Sequence, residues 1–94
     1  MKIEKFASVW DAIEDDPVKA ANLKLRSSLM MTLEQTVESW KLTQAQAAKR
    51  LKVTQPRLND LLRGKISKFS LDALVELANN AGLSVSMKVV KKAA

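Results

Sequence analysis

The chain has 94 residues, enough for one domain with a single core, and 47% of them are apolar, which excludes a compositionally disordered chain. It contains no cysteine and no histidine, which excludes disulfides, zinc fingers, thiol nucleophiles and imidazole acid–base chemistry. The net charge of +6 is unevenly placed: residues 1–40 carry −2 and residues 41–94 carry +8, and a basic half calls for a polyanionic partner such as nucleic acid.

Leu, Ala, Lys and Glu dominate, and with four aromatics and two glycines the composition predicts a mostly-α, all-α-class fold. No long apolar run follows Met1-Lys2-Ile3-Glu4-Lys5-Phe6, so neither a signal peptide nor a bilayer span is expected, and a cytoplasmic protein is. Residues 1–7 read as a flexible arm. Ser8 caps a short helix Val9–Glu14 that turns Val9, Trp10 and Ile13 inward, with Asp11 in an acidic variant of the capping box. Asp15-Asp16-Pro17 breaks and restarts the chain, Asp16 as cap and Pro17 at the first helical position. The carboxylate run Glu14-Asp15-Asp16 therefore reads as capping, and no metal site or cofactor is expected.

One long helix is predicted from Pro17 to about Trp40, with Val18, Ala21, Leu25, Leu29, Leu33, Val37 and Trp40 as its apolar stripe. Leu23, Met30 and Met31 widen the stripe, which leaves room for a subunit or partner contact. Thr43 caps a helix Gln44–Leu51, Lys52-Val53 turns, and Thr54 caps a helix Gln55–Leu62 with Pro56 tolerated in its first turn. Gly64 ends that helix, Lys65 to Phe69 connects, and Ser70 caps a further helix to about Ala81, with Leu71, Leu74, Val75 and Ala78 inward and Gly82 closing it. Residues 83–90 change period: Val85, Met87 and Val89 alternate with Ser84, Ser86 and Lys88, a strand signal. A lone strand needs a partner, either the Met1–Phe6 arm or the same segment of a second subunit, so Val85, Met87 and Val89 are expected to dimerise the chain. Residues 91–94 form a tail, and residues 8–82 form the folded unit.

The pair of short helices carries the chemistry. The major groove of B-DNA admits an α-helix and presents a distinct donor–acceptor pattern for each base pair. A reading helix must be held by a second helix, here through Ala48, Leu51 and Val53 against Leu58, Leu61 and Leu62. At about 100° per residue, those leucines share one side of the second helix, and Pro56, Asn59, Asp60 and Arg63 lie opposite, with Gln55 and Arg57 on the flanks. Gln55 suits adenine and Arg57 suits guanine, while Pro56 offers apolar contact to a thymine methyl. Asp60 is positioned to accept from a cytosine amine or to orient Arg57 or Arg63. Gln44, Thr54, Lys65 and Lys68 suit phosphate contacts.

On the residues Leu42-Thr43-Gln44, Ala47-Ala48, Leu51, Val53-Thr54-Gln55, Leu58, Leu61-Leu62 and Arg63-Gly64-Lys65, the chain resembles the lambda-repressor-like (XRE) helix-turn-helix family. Ser8-Val9-Trp10-Asp11-Ala12, Ala20 to Arg26, Thr54-Gln55-Pro56-Arg57 and Phe69-Ser70-Leu71-Asp72 resemble the subgroup of HigA-type antitoxins and small stand-alone regulators. The resemblance implies a five-helix DNA-binding domain with a C-terminal dimerising β-strand. It also implies a homodimeric repressor on a palindromic operator in the bacterial cytoplasm or nucleoid. In the antitoxin members it further implies a RelE/HigB-like toxin partner. No catalytic step is expected. The alternatives are a stand-alone or phage-type regulator without a toxin, and a protein-interaction module that no longer reads DNA. Lys52 stands where the family usually has glycine, at a turn position that commonly requires positive φ.

Overall fold

The computed structural model describes residues 16–93. Four α-helices follow one another: α1 Pro17–Ser39, α2 Gln44–Leu51, α3 Gln55–Leu62 and α4 Leu71–Asn80, with one 3₁₀ turn, Ile66–Lys68, between the last two. The mostly helical class is as expected. Five helices are not found: four are present among the described residues, and the expected helix Val9–Glu14 and the arm before it lie outside them. No helix among the described residues is long and apolar enough to cross a membrane.

Each helix starts at the cap its sequence announces. Asp16 Oδ1 accepts from the Val18 N–H at 2.9 Å, with Pro17 as the next residue. Thr43 and Gln46 exchange the two bonds of a capping box, Thr54 Oγ1 accepts from the Arg57 N–H, and Ser70 Oγ accepts from the Ala73 N–H. Three helices end alike. Val53, Lys65 and Leu83 donate from their N–H groups to the carbonyls of Ala48, Asp60 and Ala78, five residues back. The residue before each is left-handed: Lys52 at φ 61°, Gly64 at 69° and Gly82 at 82°. Lys52 thus performs the task that glycine performs twice elsewhere in the chain. A second left-handed lysine, Lys41 at φ 56°, ends α1 and was not anticipated.

The core joins Met30, Leu33 and Val37 of α1 to Ala47, Ala48 and Leu51 of α2 and Leu58 and Leu61 of α3. Ile66, Phe69, Leu74, Leu77, Ala78 and Ala81 complete it. Ala48 at the α2–α3 corner is buried, and its small side chain lets the two helices close on each other. Asn80 of α4 donates from Nδ2 to the Leu51 carbonyl at 3.0 Å, satisfying the end of α2.

Two inward faces differ from expectation. The first half of α1 buries Ala20, Ser27 and Met30, whereas Val18, Ala21 and Leu25 are exposed and Leu29 is half-buried. In α4 the buried residues are Leu74, Leu77 and Ala78, with Val75 exposed and Leu71 half-buried. The cause is that α1 carries apolar residues on two adjoining faces, and periodicity alone does not say which face meets the rest of the chain. The core takes the Ala20–Met30 face. The other face combines with α4 to leave an open apolar groove of about 320 Å³ lined by Leu25, Leu29, Leu71, Val75, Val85 and Met87.

The strand expected at residues 83–90 does not form. This segment has no regular structure, and no strand ladder is present among the described residues. Val85 is 46% exposed, Met87 76% and Val89 85%. A strand is stabilised by backbone bonds to a neighbour, and a single copy of the chain supplies no such neighbour among the described residues.

Candidate nucleic-acid interface

The α2–α3 pair is built as a support and a presented helix. In α3, Leu58 and Leu61 are buried and Leu62 is half-buried, which turns the opposite side outward. Gln55 and Pro56 are exposed at its first two positions, Asn59 is half-buried one turn on, and Arg63 is exposed just past its end. Positions 56, 59, 60 and 63 follow helical spacing and share one side. Gln44 is exposed at the first position of α2. Thr54 is exposed too, but its hydroxyl already accepts from the Arg57 N–H at 3.3 Å.

Two expected contacts look different in place. Asp60 does not turn to Arg57 or Arg63: its carboxylate lies 3.4 Å from Lys65 Nζ and 3.6 Å from Lys68 Nζ. Partial desolvation pushes the Asp60 carboxyl upward, but hydrogen bonds with and the charges of the two lysines outweigh it and hold it below the usual aspartate range. Arg57 is half-buried rather than projecting. Its Nη1 donates to the Lys68 carbonyl at 2.7 Å and its guanidinium lies 3.9 Å from the centre of the Phe69 ring.

Sequence reasoning did not single out the partners that do this positioning. Phe69, a core residue, provides the face under Arg57, and Arg26 of α1 donates from Nη1 to the carbonyls of Ile66 and Phe69 at 3.2 and 3.3 Å. No local signal identifies either, because both act across long sequence separations. Of the expected dimerisation residues Val85, Met87 and Val89, all three are exposed and two are placed against other elements. Val85 and Met87 line the groove between α1 and α4, helices that carry none of the DNA-facing candidates.

Two short capped helices joined by a tight left-handed turn, the second presented to solvent in a basic half of the chain, define a helix-turn-helix DNA-binding domain. The chain matches the family described as helix-turn-helix domain over residues 12–90, and it belongs to that family. No curated protein matches it.

Proposed function

We propose that this protein is a sequence-specific binder of double-stranded DNA that acts as a homodimeric transcriptional repressor. The observation that carries the reading is α3, with an inward leucine side and an outward side of Gln55, Pro56, Asn59 and Arg63. Gln55 and Asn59 are the amide-bearing readers, each able to bond an adenine edge, and Pro56 packs on a thymine methyl. Gln44, Thr54, Arg63 and Lys65 take phosphates, with Arg57 and Asp60 supporting the same surface. One α3 covers one half-site, so a palindromic operator with half-sites about 34 Å apart requires two copies.

The same reading makes residues 83–90 a strand only in the dimer, where the Val85, Met87 and Val89 edge of one copy pairs with its counterpart. No catalysis, metal or cofactor enters. Within this class we favour an antitoxin that also neutralises a RelE/HigB-like toxin and represses its own operon. The open apolar groove beside α1 and α4 supports a protein-binding duty in addition to the DNA surface. A stand-alone regulator shares every DNA contact and differs only in lacking the toxin.

Selection of duplexes from a random pool, followed by titration of the selected site, tests the DNA reading. The full chain is expected to enrich one palindrome. Gln55→Ala is expected to lose preference at one position per half-site and about 1–3 kcal/mol of binding. Failure of the full chain to enrich any sequence would sink the reading. Rescue of growth on co-expression with the product of a neighbouring toxin-like gene separates the antitoxin from the stand-alone regulator.

A further inference from the structure

Side chains from two helices converge on the loop that follows α3. Arg26 of α1 ties the Ile66 and Phe69 carbonyls. Arg57 of α3 ties the Lys68 carbonyl at 2.7 Å and covers the Phe69 ring at 3.9 Å. Asp60, nearly one turn further along α3, draws Lys65 Nζ and Lys68 Nζ to a single carboxylate. Phe69 is 1% exposed, so the ring under Arg57 is fixed by the core. The loop is therefore fastened to the helix that precedes it, and its two ammonium groups are gathered on one side.

We infer that Arg57 is a positioning residue: it fastens the 65–69 loop to α3 and so sets Lys65 and Lys68 as a paired grip on the DNA backbone. This rests on the reading that α3 enters the major groove. A guanidinium that reads guanine must turn its planar fork toward N7 and O6. The Arg57 guanidinium instead sits over the Phe69 ring, 3.9 Å from its centre, with one nitrogen committed to a backbone carbonyl. Lys65 and Lys68 remain exposed, and a backbone phosphate replaces the Asp60 carboxylate as their anion.

A positioner and a reader leave different signatures. Arg57→Met keeps apolar cover on Phe69 and removes the charge and the donors. It is expected to weaken binding by about tenfold on the selected operator and on its single-mismatch variants alike, and to flatten the salt slope by more than the single contact a lone phosphate ligand supplies. In a Lys65→Ala/Lys68→Ala background the same substitution is expected to have no further effect, because the groups it positions are gone. In the DNA-free chain it is expected to speed hydrogen exchange at the amides of Lys68 and Phe69 while the α2 and α4 amides keep their protection. Loss of preference at one base pair, or an undiminished loss in the lysine-free background, would overturn the assignment and return Arg57 to the readers. A wild-type chain that enriches no sequence would instead overturn the DNA reading, a result distinct from both.

Discussion

Lys52 shows how one residue can be both misplaced and tolerated. Its φ of 61° costs a side-chain-bearing residue about 1 kcal/mol relative to glycine. The turn survives because the Val53 N–H to Ala48 carbonyl bond and the packed α2–α3 corner determine it from both sides. Lys52→Gly is expected to raise stability by about 0.5 kcal/mol, the strain relieved less the extra freedom of glycine in the unfolded chain. Lys52→Val is expected to lower it, since a β-branched side chain suits this region worse. Urea midpoints of the three chains check the order.

Two carboxylates are expected to give opposite pH signatures. Glu34 is half-buried, and desolvation, with the Glu38 charge adding to it, raises its pKa. The folded chain then binds a proton more readily than the unfolded one, so this group's destabilisation grows as pH rises through its folded pKa. Asp60 is depressed by its lysines, so its contribution is present above the unfolded aspartate pKa and is lost as pH falls through the folded one. Glu34→Gln should therefore stabilise at neutral pH with the gain vanishing in acid, whereas Asp60→Asn should destabilise at neutral pH with the loss vanishing in acid. Denaturation midpoints across pH 3 to 7 separate the two; parallel curves would refute the assignment.

At the scale of the element, α2 and α3 are short. Helices of eight residues are marginal alone, and caps and tertiary burial supply what length does not. The capping box at Thr43 and Gln46 satisfies orphan N–H groups of α2 and keeps its first turn closed. Thr43→Ala is expected to cost about 1 kcal/mol, seen as a lower Tm, while leaving the selected DNA sequence unchanged. The α1 helix teaches a different point. It is 23 residues long and apolar on more than one face, so its existence was plain from periodicity and its buried side was not. The choice of face fell to α4 and the 3₁₀ turn Ile66–Lys68, the elements α1 packs against most, both distant in sequence.

For the molecule as a whole, the reading surface and the apolar surface occupy different elements. The α2–α3 pair faces outward with basic and amide groups, while α1, α4 and residues 83–90 leave leucine, valine and methionine open. Such separation suits a protein that holds DNA with one side and a second protein with another. Deleting residues 83–94 is expected to yield a monomer whose DNA affinity falls to that of a single half-site. Sedimentation equilibrium decides the first part: a truncated chain that still dimerises removes this segment from the interface.

Much of the architecture was legible because its signals are local. Asp16-Pro17, Thr43 with Gln46, Thr54 and Ser70 mark helix starts through bonds that span two or three residues, and Gly64 and Gly82 mark ends through conformations other residues resist. The leucine side of α3, and hence its outward amides, followed from helical period. The alternation at 83–90 was legible as a pattern but forms no strand among the described residues, because a strand's hydrogen bonds need a neighbouring chain segment. The sequence by itself determined the four helices of the described residues and the outward side of the presented helix. Only the tertiary structure decided what Arg57, Asp60 and the two faces of α1 touch. Arg57 finds Phe69, Asp60 finds Lys65 and Lys68, and Arg26 finds Ile66 across forty residues of chain, contacts that folding creates and no local pattern encodes.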